Sequence, residues 1–131
     1  IRTYVQIEEA RFGDKVNYSV RFEVPMTTQL PRLIIEPLVE NAIRHGILKK
    51  KGGGEVRLYI HMAPEGICVE VIDNGIGMST GKLAEVFNED SKSVGLKNIQ
   101  DRLIHLNGEG LKIESVQMEY TKVSFILKGE N

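Results

Sequence analysis

At 131 residues, with 41% hydrophobic and 27% charged side chains, the chain has the composition of one ordinary globular domain with enough apolar material for its own core. A net charge of −1 leaves no basic footprint, which argues against nucleic acid as a partner. The lone Cys68 excludes an internal disulfide framework and a cysteine metal cluster, His45, His61 and His105 do not fall at metal-ligand spacing, and no apolar run approaches the ~20 residues of a membrane span.

No signal peptide is visible, and a sequence that begins at Ile1 rather than Met is expected to be a piece of a longer protein. Residues 1–12 place Tyr4, Ile7, Glu8, Arg11 and Phe12 at helical spacing. They are expected to be the end of a helix leading in from an upstream domain, with Gly13-Asp14 as the corner after it and 13–131 as the domain proper. From Val16 to Val24 the alternation is clean: Val16, Tyr18, Val20, Phe22 and Val24 share one face, and Asn17, Ser19, Arg21 and Glu23 the other, a half-buried strand.

Pro31 suits the first turn of a helix, and Pro37 inside the helical pattern predicts a kink or a second start. At about 100° per residue, Ile35, Leu38, Val39, Ala42 and Ile43 form an apolar stripe, while Asn41, Arg44 and His45 fall together on another arc beside Pro37. An amide, a guanidinium and an imidazole on one face would suit a polyphosphate and its metal ion, and would equally serve as an ordinary solvated surface. Gly46 is expected to close the helix, and the Lys49–Gly54 run reads as a solvated loop without the context of a P-loop.

Val56, Leu58, Ile60 and Met62 predict the next strand, with His61 on its exposed face. Pro64-Glu65-Gly66 predicts a hairpin into the strand Ile67–Asp73. Period two puts Asp73 on the same face as Ile67, Val69 and Val71, where a carboxylate needs a partner. Gly75 and Gly77 after it permit positive φ and a close backbone approach to a ligand, although an Asn-Gly turn with a capping Asp is a common structural motif. Residues 79–92 read as a mobile lid with Leu83, Val86 and Phe87 as its only apolar turn. Leu96, Ile99, Leu103 and Leu106 form the buried stripe of a last helix ended by Gly108, with His105 exposed. The small-residue loop leading into that helix is a natural anion seat. Two strands, 111–117 and 122–128, close the chain as a hairpin.

Three segments then occur in a recognisable order. PLVENAIRHG resembles the N box, VIDNGIGM the first glycine box and SVGLKNIQDRL the second glycine box of the GHKL ATP-binding superfamily; together with VQIEEARFGDKVNYSV they are similar to LytS-type sensor histidine kinases across nearly the whole chain. The resemblance implies an α+β (α/β sandwich) Bergerat fold: a mixed, mostly antiparallel β-sheet covered on one face by helices, with a mobile ATP lid. It implies ATP and Mg2+ as cofactors. Asn41 would hold Mg2+, Arg44 would reach the phosphates and His45 would lie beside base or ribose. Asp73 would accept the adenine amino hydrogen and so reject guanine, Gly75 and Gly77 would pass close to the base, and Ser93, Gly95 and Leu96 would cradle phosphate. No residue of this chain stands out as catalytic. The acceptor histidine is expected in a separate helical dimerisation domain of the same protein, with a response regulator downstream, a homodimeric parent anchored in the membrane and this domain in the cytoplasm.

Two departures from the family pattern bear on function. Ser91 and Ser93 stand where glycine is common, which restricts the phosphate loop and leaves open a degenerate nucleotide-binding regulatory module. Pro37 stands where the ATP-hydrolysing branch has a water-activating glutamate, with Glu36 and Glu40 turned away, so an ATP-hydrolysing conformational machine is the disfavoured alternative.

Overall fold

A computed structural model describes residues 3–12 (as backbone), 16–25, 28–87, 96–107 and 109–128. The elements are β1 (Thr3–Phe12), β2 (Val16–Pro25), α1 (Arg32–Ala42), β3 (Gly54–Ala63), β4 (Gly66–Asp73), α2 (Thr80–Glu85), α3 (Leu96–Asn107), β5 (Lys112–Val116) and β6 (Tyr120–Lys128). The strands form one six-stranded sheet in the order β1-β2-β3-β4-β6-β5. Only β2 and β3 run parallel among the described pairs, which requires the long crossover through α1; every other neighbour is antiparallel.

Alternation decides which face is covered. Val16, Val20 and Val24 of β2, Val56, Leu58 and Ile60 of β3, Val69 and Val71 of β4 and Val123 and Phe125 of β6 are all buried. They form one core with Ile34, Ile35 and Leu38 of α1 and Leu96, Ile99 and Leu103 of α3. The opposite face carries polar side chains, among them Glu23, Tyr59, His61, Glu70 and Lys122, and among the described residues no helix packs on it. This is the mixed, one-face-covered α+β sandwich expected from the sequence.

Four expectations need correction. Residues 3–12 are strand, not the end of a helix: they pair with β2 from Thr3↔Pro25 to Phe12↔Val16. The short helical spacing there is a weak local signal, and the β2 edge offers a ten-residue antiparallel ladder in which alternate residues find backbone partners. The Gly13-Asp14 corner lies outside the described residues.

Pro37 does not restart the helix: α1 runs unbroken from Arg32 to Ala42 across it. A proline at 37 removes the N–H that would reach the carbonyl of Leu33. Arg102 Nη1 of α3 donates to that same carbonyl at 3.2 Å. Gly46 does not stop the helix: Ile43–Ile47 continue it as one π turn, with the Leu48 N–H donating to Ile43 O at 2.9 Å. Leu106 is 60% exposed rather than buried. The next residue, Asn107, turns inward instead: its amide donates to Ile126 O at 2.6 Å and accepts from the Lys128 N–H at 3.0 Å, clamping the end of α3 to β6.

Candidate functional site

The site lies where the C-terminal half of α1 and its π turn face the end of β4. Gly46 makes this closeness possible. A Cβ there would stand 2.6 Å from Asp73 Oδ1, and a Cβ on Gly75 would collide with the Gly46 carbonyl. The π turn and the first glycine of the following loop are therefore packed backbone to backbone. Gly77 has φ 66° and would, with a Cβ, meet the Val116 carbonyl.

The loop after β4 is held from several sides. Asn74 Oδ1 accepts from the Glu55 N–H at 2.7 Å, and Lys50 Nζ donates to Asn74 O at 2.8 Å, which gives one lysine of the solvated run a definite partner. The Met118 N–H donates to Ile76 O at 2.5 Å, and the Met78 N–H to Ser115 Oγ at 2.8 Å. The β5–β6 hairpin thus serves as the buttress of this loop.

Asp73 is 3% exposed, and its one hydrogen bond among the described residues is from the Gly75 N–H to Oδ1 at 2.9 Å. Burial pushes its carboxyl up to about 6, against the opposing pull of that N–H. An aspartate buried without a cation or a second donor is an acceptor waiting for a polar partner. His45 is held below its ordinary value by burial first and then by Lys49, Lys82 and Arg44, so it is a neutral imidazole at neutral pH.

Two adjoining hollows meet at these residues. An inner slot of about 40 Å³ has apolar walls from Leu38, Ala42, Met78, Leu96 and Val123, with Asp73, Asn41, His45 and Thr121 as its polar points. An outer cleft of about 270 Å³ is lined by Pro37, Glu40, Asn41, Arg44, His45, Asn98, Ile99 and Arg102. Asn41 and His45 border both, so the two hollows lie side by side with these residues between them. An apolar slot with one buried acceptor beside a cleft with two guanidiniums suits a flat heteroaromatic group with a polyphosphate tail.

Of the residues singled out in the sequence, Asn41, His45, Asp73, Gly77 and Leu96 line the slot and Arg44 the cleft, while Gly75 supports them through Gly46. Ser91, Ser93 and Gly95 lie outside the described residues. Sequence reasoning missed Lys82, Asn98, Arg102 and Thr121. Asn98 and Arg102 are four apart on the polar face of α3, but a polar helix face gives no sign of which neighbour it borders. Glu40 also differs from expectation, since it borders the cleft. In the stretch read as a lid, Ser79 caps α2 by accepting from the Lys82 N–H at 3.2 Å, Val86 is buried and Phe87 packs on the core.

Comparison with known proteins gives a consistent answer. Residues 26–131 match the family described as histidine kinase-, DNA gyrase B-, and HSP90-like ATPase. The sensor histidine kinase YpdA of Escherichia coli is 33% identical over 132 residues, covering 99% of this chain and 23% of its own length. The sensor protein LytS of Bacillus cereus is 33% identical over 135 residues, covering 97% of this chain and 23% of its own length. This chain therefore spans about a quarter of either relative. Among solved structures, the ATP binding domain of PrrB from Mycobacterium tuberculosis superposes with a TM-score of 0.64 at 24% identity, over 92% of this chain and 84% of that one, a likeness of fold.

Proposed function

Because the chain belongs to the histidine kinase-, DNA gyrase B- and HSP90-like ATPase family, we propose that it is the catalytic ATP-binding part of a sensor histidine kinase, binding Mg-ATP and delivering the γ-phosphate to a histidine in a separate helical domain. One observation carries the reading: the buried Asp73 carboxylate sits in a slot that shares Asn41 and His45 with a neighbouring cleft bordered by Arg44 and Arg102. Asp73 would accept the adenine amino hydrogen. A guanine would present a carbonyl oxygen to the same carboxylate, an unpaired contact that gives the site its base preference. Neutral His45 would lie beside base or ribose, and Gly77 would let the backbone pass the ring. Arg44, with Arg102 opposite, would take phosphate oxygens, and Ser93, Gly95 and Leu96 at the start of α3 would add backbone donors.

Asn41 offers a neutral amide oxygen between slot and cleft, a hard donor of the kind Mg2+ takes alongside phosphate oxygens; the ion would neutralise phosphate charge.

A histidine kinase needs positioning and charge neutralisation from this part and no base of its own, because the acceptor imidazole is the nucleophile. His45 is committed to the slot, His61 is paired with Glu70 and His105 is exposed on the outer side of α3, so the acceptor would lie on another domain. The response regulator, the homodimeric parent and its membrane anchor belong to the same proposal; the domain takes in β1 as well as 13–131, since β1 is a strand of the same sheet. No helix among the described residues is long and apolar enough to cross a membrane.

One observation favours a second reading, ATP hydrolysis. Glu36 is exposed and paired with Arg32 at 3.0 Å, but Glu40 borders the cleft beside Asn41. Calorimetric titration with ATP, with and without Mg2+, decides the first point: saturable, Mg2+-dependent binding is expected, and no binding would leave only a degenerate module. Sustained ATP turnover abolished by Glu40→Gln would establish the second reading in place of the first.

A further inference from the structure

The sheet face turned away from the helices holds a second cluster of chemistry-bearing side chains. The β3–β4 register sets His61 directly opposite Cys68, with Glu70 two residues further along the same face of β4. The ligand atoms of His61, Cys68 and Glu70 all lie within 4.8 Å of one another. His61 is therefore not the simple exposed residue expected from alternation: its Nε2 is 2.8 Å from Glu70 Oε2, and its side chain is 26% exposed.

His61 and Glu70 are also held from behind. His61 Nδ1 faces the Met62 carbonyl at 3.3 Å, and the ring stacks on Tyr59 with centroids 4.3 Å apart. The Tyr59 hydroxyl is itself anchored, donating to Glu23 Oε2 at 2.6 Å. Glu70 Oε1 receives Lys122 Nζ at 2.7 Å. With Nδ1 and Oε1 turned to other partners, Nε2, Oε2 and the Cys68 Sγ face one another. Nε2 and Oε2 hydrogen-bond to each other, and an ion entering between them would replace that contact, leaving the ring proton on Nδ1 toward the Met62 carbonyl.

We propose that His61 Nε2, Cys68 Sγ and Glu70 Oε2 form a binding site for a divalent transition ion of the zinc class. One nitrogen, one sulfur and one oxygen are the donor types such borderline ions take, and a carbonyl behind the imidazole and a cation behind the carboxylate are the outer contacts that orient ligands. Tetrahedral bonds of ordinary length put ligand atoms roughly 3.3–3.7 Å apart, within reach by small side-chain rotations. The partial exposure of His61 leaves a solvent-side fourth position for water. Without an ion, burial and the Glu70 carboxylate push the Cys68 thiol up and keep it protonated; binding releases that proton to solvent. The site lies on the opposite face of β4 from Asp73 and is independent of the nucleotide pocket.

Cobalt alone is the probe. Titration of the chain with Co2+ should produce a thiolate-to-cobalt charge-transfer band that saturates at one ion per chain and is displaced by Zn2+. Cys68 is the chain's one cysteine, so the band can come from nowhere else. Cys68→Ser should remove it, and His61→Gln and Glu70→Gln should each weaken binding on the order of tenfold or more, with circular dichroism confirming that the variants fold. In the unmodified chain, Zn2+ should slow alkylation of Cys68. Absence of a saturating band, Zn2+ affinity unchanged by Cys68→Ser, or alkylation indifferent to Zn2+ would each overturn the site.

Discussion

Asp73 illustrates how a residue proposed to bind a ligand acts against the stability of its own fold. Its folded value of about 6 lies above the ordinary 3.8, so the folded chain holds this proton more tightly than the unfolded chain does. The penalty for burying the charge is thus absent below about pH 4 and grows as pH rises through about 6, reaching at most about 3 kcal/mol. Asp73→Asn, which keeps an oxygen for the Gly75 N–H, should flatten this part of the pH dependence and match or exceed the wild type in urea unfolding near pH 7. The same substitution should weaken ATP binding by about 1.5–3 kcal/mol, the range for a hydrogen bond to a charged group; unchanged ATP affinity would refute the base assignment. Asn41→Ala should remove the Mg2+ dependence of binding more than the binding of the base. The pair separates the two ends of the site in one calorimetric series.

Elements carry a different kind of information. In the helix bearing Asn41, Arg102 of α3 takes the carbonyl that the internal proline leaves without its helical donor. Since Leu33 is largely exposed, water can replace that contact, and Arg102→Ala should cost only about 0.5–1.5 kcal/mol in urea unfolding. Loss of phosphate affinity well beyond that would mean Arg102 also touches the nucleotide. Gly46 is less forgiving. A methyl group there meets the Asp73 carboxylate, so Gly46→Ala should destabilise the fold by about 1–3 kcal/mol and lower ATP affinity with it. Wild-type stability and affinity in that variant would show that the π turn and β4 are not tightly engaged.

At the scale of the whole molecule, the sheet separates two chemistries. The helix-covered face holds the slot proposed for nucleotide, and the open face holds the Tyr59–His61–Glu70–Lys122 network. With its histidines already accounted for, the isolated chain should bind Mg-ATP yet form no phosphohistidine at an ordinary rate, and addition of a separate acceptor domain should be needed for transfer. Acid-labile phosphate on the chain alone, followed by radiolabel, would contradict this.

Residue order alone was enough for the alternating strands, the apolar stripes of α1 and α3 and the placing of Asp73 on a buried face, because periods of two and 3.6 are properties of the local backbone. The recurring N-box and glycine-box segments likewise identified the family from short runs of residues. Tertiary structure decided the rest. Whether residues 3–12 coil or extend depended on the free edge of β2, and where the helix after Asn41 ended depended on Gly46 meeting Asp73 and Gly75 from another strand. Arg102 against Leu33, Lys82 and Thr121 around the slot and His61 beside Cys68 are pairings between segments remote in sequence or across a hairpin. No periodicity encodes such contacts, since they arise only when packing and strand register choose which polar faces meet.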